Sequence, residues 1–303
     1  MNDILDFALL DTVSDDDDDD LDDMIMNYVL RDGVNGLCIL LRRLACPNRL
    51  GDLESVFGYS YAALSEIMNT AMEIINDNKG HLLQNLGSNR WLNEEKLRVY
   101  SEAIHIKGAP MNNLWAFIDG TVRPICRPTV NQRAYYSGHK RVHCVKYQSL
   151  LCPDGIIVSL KCAYPGARHD AGIFRESGLY EELEEITVFP NRRYVIYGDQ
   201  GYGLRELLIR PFSQNEIAIN PERQHFNNTM SVLRVSVEWG FSKIITEFAF
   251  LDLKKNLMLL LQEVGTMYSV ATLLTNCHTC LHSSQQSTYF NIQPPTLEQY
   301  LGN

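Results

Sequence analysis

The ten residues Tyr194–Gly203, YVIYGDQGYG, decide the reading of this chain. An apolar run ends in Gly-Asp and opens into two further glycines. Such a segment can be a loop cradling phosphate at a helix N-terminus, plain punctuation after a strand, or a strand that presents one carboxylate at its carboxyl end. The spacing GxxGxG reverses the dinucleotide fingerprint, and no acidic partner follows on a strand about twenty residues later. The glycines then read as the turn that frees Asp199.

The same pattern occurs upstream. Leu114–Asp119, LWAFID, is a short apolar strand ending in Asp119. HCVKYQSLLC (143–152) and IIVSLKCAY (156–164) are β-rich runs joined by Pro153-Asp154-Gly155, which is turn chemistry for an antiparallel hairpin. AGIFRESGLYEELEE (171–185) is helical, RYVIYGD (193–199) is a strand, and EIAINP (216–221) is expected as a short fifth strand. From Asn228 to about Leu281 helical patterns dominate. The order predicts an α/β fold, a mixed sheet with helices packed on it.

Two further acids stand out. Asp170, in PGARHDAGIF, lies where a helix begins and reads either as an N-cap or as a metal ligand. Glu238, in VLRVSVEWGFSKI, lies in a helical run with Arg234 and Ser242 on its face. By itself it is a solvated helix acid. Gly240 in that run costs about 1 kcal/mol relative to Ala, which makes sense if something approaches the helix closely. Two strand-end aspartates and a helix glutamate can together hold two divalent ions roughly 4 Å apart, a pair that activates a water and steadies the leaving oxygen of a phosphodiester. Hard oxygen ligands suit Mg²⁺ or Mn²⁺.

Between the first two acids the chain turns basic. TVRPICRPTVNQRAYYSGHKRVHCVKY (121–147) carries Arg123, Arg127, Arg133, Lys140, Arg141 and Lys146, interleaved with Tyr135 and Tyr136. This is either a wall for a DNA backbone with rings for unpaired bases or the solvated face of a strand.

The 303 residues, 45% hydrophobic, suffice for one large core or two smaller ones. No run of 18 apolar residues suggests a membrane span. The N-terminus lacks the basic start of a signal peptide, so an intracellular protein is expected. Residues 1–23 hold eleven carboxylates and no Lys or Arg; subtracting them from the net charge of −10 leaves the rest at +1. This tail is expected to be disordered, either simply solvated or mimicking nucleic-acid charge. The eight cysteines read as free thiols. Cys277 and Cys280 form a CxxC beside His278 and His282, but no second pair completes a zinc site.

Residues 24–108 are predicted as a small helical region. Gly58 ends one helix, Ser60 caps the next, and Leu64, Ile67, Met68, Ala71 and Ile75 follow helical spacing. Three short helices fit a helix-turn-helix or a plain bundle. NEEKLRVYSEAI (93–104) is an amphipathic helix, and the break at Gly108 and Pro110 marks a boundary. Residues 109–282 are then the catalytic unit and 283–303 a C-terminal tail.

Taken in order, FIDGTVRPICRP, YYSGHKRVHCVKYQ, PDGIIVSL, YPGARHDAGIF, YGDQGYGL, VEWGFSKI and LLTNCHTCLH resemble the DDE endonuclease domain of PIF/Harbinger-type transposases, over roughly residues 112–282. The resemblance implies an RNase H-like fold and metal-dependent cleavage and transfer of DNA strands. It implies Asp119, Asp199 and Glu238 as catalytic and metal-binding acids and Asp170 as an additional metal position. It also implies transposon-end and target DNA as substrates, a Myb-like partner protein that aids DNA binding and nuclear import, and self-association. Nuclear localisation through that partner is expected, otherwise cytoplasmic, since the longest Lys/Arg runs here are pairs. The segment GDQGYGL departs from the family's GD-x-x-Y only in its extra glycines, keeping Asp199 and Tyr202. A domesticated, non-cutting DNA-binding or adaptor protein is the alternative of another class. A nucleotide-binding enzyme would require a helix opening directly after the glycines.

Overall fold

The computed structural model describes residues 33–253, 257–259 and 262–302, so the acidic stretch lies outside the described residues. Besides the two-residue strand Tyr136–Ser137, five strands form the six-stranded sheet: β1 Leu114–Pro124, β2 Val142–Leu151, β3 Ile157–Pro165, β4 Val195–Tyr197 and β5 Leu208–Ile209. Their spatial order is β3–β2–β1–β4–β5. β2 runs antiparallel to β1 and β3, whereas β4 and β5 run parallel to β1. The two-residue strand Tyr136–Ser137 pairs with the start of β2. β1 is the middle strand, and Leu114 to Ile118 are all buried, as expected where both faces are covered.

The principal helices are α1 Gly33–Ala45, α2 Tyr61–Lys79, α3 Glu94–Ile106, α4 Asp170–Glu176, α5 Leu179–Thr187, α6 Glu222–Glu247 and α7 Val264–His282. α3 and α6 pack on β1, and α7 packs on β3. The caps follow the local chemistry. Ser60 Oγ accepts from the Ala63 amide at the start of α2, and Gly58 closes the preceding turn with φ 75°. Asn93 caps α3 in the same way.

Leu64, Ile67 and Met68 of α2 form a small core with Ile39, Leu50, Leu53 and Ile74. The opposite sides of α1 and α2, through Leu37, Leu40, Leu44, Ala71 and Met72, join the main core, which runs unbroken from there to Leu301. The break at Gly108 is therefore a break in secondary structure and not in the core. Hydrogen bonds also cross it: Asn89 Nδ2 donates to the Val158 carbonyl, and the Leu86 amide donates to Glu182.

Two expectations are corrected. EIAINP is not a strand: Ser213 and Glu216 form a reciprocal capping box that starts a helix at Gln214–Ile219. The fifth strand is the short Leu208–Ile209. Residues 283–303 are not a loose tail, because they hold helices at Gln285–Phe290 and Leu297–Leu301. Phe290 stacks on Phe117 of β1 with centroids 6.4 Å apart, and the Tyr300 hydroxyl accepts from Asn276 at 2.8 Å.

Candidate active site

The parallel register places the first two acids. Phe117 of β1 pairs with Tyr197 of β4. Asp119 and Asp199 each lie two residues beyond that pair. β4 stops at Tyr197 while β1 runs on to Pro124, so Asp119 is a mid-strand residue, not the strand end expected from LWAFID, and Asp199 follows the end of the neighbouring strand. Parallel strands stand about 4.8 Å apart. The third acid arrives from β3: Asp170 is the first residue of α4, and its carboxylate lies against Gly120, where an added Cβ would stand 3.0 Å from Asp170 Oδ1. Gly120 is thus needed for close approach by Asp170. His169, not Asp170, occupies the N-cap position, which removes the capping explanation for Asp170.

Each carboxylate has fixed partners. Asp119 Oδ1 accepts from the Gly120 amide at 2.9 Å, and Oδ2 receives Arg234 Nη1 of α6 at 3.1 Å. Asp170 Oδ1 pairs with Lys146 Nζ of β2 at 3.2 Å. Asp199 Oδ1 accepts from the Gly201 amide at 2.9 Å, folding its loop into an Asx turn. Burial raises the Asp119 carboxyl to about 6; Arg234 and the Gly120 amide oppose the rise, while Asp199 and Asp170 add to it. Burial outweighs the ion pair because the side chain keeps only 17% exposure.

The glycines of YVIYGDQGYG act differently from the expectation. Gly198, Gly201 and Gly203 all lie outside the positive-φ region. Gly198 is required by packing: a Cβ there would meet Tyr202 Cδ2 at 2.7 Å and Ile118 Cγ2 at 2.9 Å. The residues after Gly203 lead into β5 and not into a helix, which removes the nucleotide-loop reading.

Glu238 stands on α6 one helical turn after Arg234. It is exposed on α6 and forms no hydrogen bond or ion pair among the described residues. The residue that α6 sends to Asp119 is Arg234, one helical turn earlier. Gly240 does mark a close approach, since a Cβ there would lie 3.0 Å from Leu151 Cδ2.

The basic segment divides. Arg123 is corrected from DNA-facing to internal: it is buried, its guanidinium lies 5.4 Å from the Tyr268 ring centroid, and it donates to the Tyr268 hydroxyl. Lys146 is committed to Asp170. Arg127, Arg133, Lys140 and Arg141 are exposed on the segment between β1 and β2, with Arg127 donating to Gln132 Oε1. In the helical region Arg43 lies 4.1 Å over the Phe250 ring, while Arg42 and Arg49 are exposed.

The donor set fits a hard divalent cation, because three carboxylate-bearing segments converge and the ligand type is oxygen throughout. Among the described residues no three His, Cys, Asp or Glu side chains yet stand close enough to hold an ion. One oxygen each of Asp119 and Asp170 is held by Arg234 and Lys146 instead. Sequence reasoning missed two groups here. Arg234 was visible only as a neighbour of Glu238 by helical spacing. Gln148, inside an apolar β-run, carried no signal at all.

The DDE superfamily endonuclease family model matches residues 118–276, more than half of the chain. No curated protein and no solved structure gave a significant match.

Proposed function

Since the chain belongs to the DDE superfamily endonucleases, we propose that it is a divalent-metal-dependent DNA nuclease of the PIF/Harbinger transposase type. The strand order β3–β2–β1–β4–β5, with the last two strands parallel to the first, supports an RNase H-like fold. The observation that carries the reading is the Phe117–Tyr197 register. It sets Asp119 and Asp199 at matching positions on adjacent parallel segments, and Asp170 lies against Gly120 beside Asp119.

Asp119, Asp199 and Asp170 would hold the metal. The chemistry supplied there by a divalent ion would be activation of a water and neutralisation of charge on the phosphodiester. The protein's own groups do the rest. Arg234 and Lys146 balance the carboxylates until cation and substrate arrive. Arg127, Arg133, Lys140 and Arg141 supply exposed positive charge for the phosphate backbone. Glu238 remains the proposed fourth acid, on the helix that already reaches Asp119 through Arg234. A Myb-like partner, self-association and partner-dependent nuclear import belong to the same reading.

The test is cleavage of a plasmid carrying the genomic DNA that flanks the chain's own coding region, with Mg²⁺ or Mn²⁺. Wild type should nick it and Asp119→Ala should not; equal nicking by both would sink the assignment. A second reading, a DNA-binding protein that no longer cuts, is favoured by one observation: Arg234 occupies a carboxylate oxygen of Asp119. DNA binding without cutting under every metal condition would select it.

A further inference from the structure

Gln148 lies in β2 directly opposite Gly120, the residue after Asp119. It is 1% exposed. Its amide nitrogen donates twice, to the Asp170 carbonyl at 3.3 Å and to the Tyr202 hydroxyl at 3.1 Å. Its amide oxygen is buried and has no partner. A buried carbonyl left unpaired is unfavourable, so its retention calls for a partner outside the protein's own groups.

Tyr202 is equally enclosed. It is 2% exposed, its ring presses on Gly198, and it meets Phe174 of α4 edge-on at 6.0 Å. Its hydroxyl accepts from Gln148, while its own proton finds no acceptor among the described residues. The pair therefore touches every segment that carries an aspartate: β1 through Gly120, the start of α4 through the Asp170 carbonyl, and the Asp199 loop through Tyr202 itself.

Resting on the nuclease reading, we infer that Gln148 and Tyr202 are positioning residues that lock Asp170 and Asp199 around Asp119 and hold a bound water at the metal-binding aspartates. The hydrogen-bond count fits. A water that donates to Gln148 Oε1 and accepts from the Tyr202 hydroxyl keeps one hydrogen and one lone pair for an aspartate or its ion. Neither residue touches the reacting phosphodiester; both act through the carboxylates, as outer-shell partners do at other metal sites.

The experiment is calorimetric titration of the full chain with Mn²⁺, alongside thermal unfolding, for wild type, Tyr202→Phe, Gln148→Leu and Asp119→Ala. Tyr202→Phe keeps the ring on Gly198 and Phe174 and removes only the hydroxyl. It should weaken Mn²⁺ binding at least about 10-fold and lower the unfolding midpoint by less than about 4 °C. Gln148→Leu should weaken binding at least as much; if it fails to fold, Tyr202→Phe alone decides. Wild-type affinity in Tyr202→Phe, with binding abolished in Asp119→Ala, overturns this inference and leaves the nuclease reading standing. A loss of affinity that only tracks a collapse of the unfolding midpoint also overturns it, because that is a packing role. Unchanged binding in Asp119→Ala overturns both.

Discussion

Gly198→Ala tests the packing that sets the Asp199 loop. The backbone at Gly198 is compatible with alanine, because its φ is not positive. The obstacle is space. The new methyl would stand 2.7 Å from Tyr202 Cδ2 and 2.9 Å from Ile118 Cγ2, where ordinary contact begins at 3.4 Å. Ile118 is anchored in the buried middle of β1, so the Tyr202 ring must give way by about 0.7 Å. Overpacking of this kind costs about 1–3 kcal/mol. Urea unfolding should show a lowered midpoint at unchanged slope. Gly172→Ala in α4 is the control, since nothing lies within 4 Å of its added Cβ; it should be neutral or stabilise by up to about 1 kcal/mol. Combining Gly198→Ala with Tyr202→Ala should cost less than the two separate effects added together, because the clash partner is gone. Wild-type stability in Gly198→Ala, or full additivity in the double variant, would rule out the clash with Tyr202.

Other predictions follow from individual contacts. Asp154 is fully buried, accepts from the Ile156 amide at 3.0 Å and from the Tyr100 hydroxyl, and burial raises its carboxyl to about 6 from 3.8. The folded state then holds this proton more tightly than the unfolded state, so stability falls as pH rises from 3.8 to 6, by up to about 3 kcal/mol from this group. Asp154→Asn should gain on wild type in urea melts at pH ~7.5 relative to pH ~4; a constant difference between the two would refute this. Arg234→Gln removes the main influence that lowers the Asp119 carboxyl. The pH midpoint of Mn²⁺ binding should therefore move upward, and calorimetry across pH would expose an unmoved midpoint. Replacing Arg133, Lys140 and Arg141 by Ala should reduce the salt slope of DNA binding by just under about one each. Arg123→Ala should leave that slope alone and lower stability, because its guanidinium is spent on Tyr268.

What the sequence revealed depended on whether local chemistry decided the outcome. Asp199 was legible because its apolar run does end just before it, at Tyr197. Asp119 was legible as an acid after an apolar run, but β1 continues past it to Pro124, paired to β2 throughout, so it is a mid-strand residue and not a strand end. Gly58 and Ser60 were legible because a left-handed closure and a side-chain cap are local. EIAINP was expected as a strand, a short apolar run that could be either strand or helix. The reciprocal bonds of Ser213 and Glu216 commit it to a helix instead. Arg123 misled because charge suggests solvent, yet the alternation along β1 buries Thr121, Arg123 and Ile125 and turns Val122 outward. Residues 283–303 were expected as a tail, while the Thr296 cap starts a helix there and Tyr300 joins it to α7. Glu238 was right for its helix. Its distance from the aspartates depends on how α6 is set against β1, and spacing within one helix carries no such information.

Asp119, Asp170 and Asp199 are proposed as the metal seat of a nuclease. Anomalous diffraction from crystals of the full chain soaked in Mn²⁺ tests it most directly. A manganese peak is expected within about 2.2 Å of carboxylate oxygens from both Asp119 and Asp199, with Arg234 displaced from Asp119. Manganese bound elsewhere, with Arg234 still on Asp119 and those carboxylates bare, would contradict it.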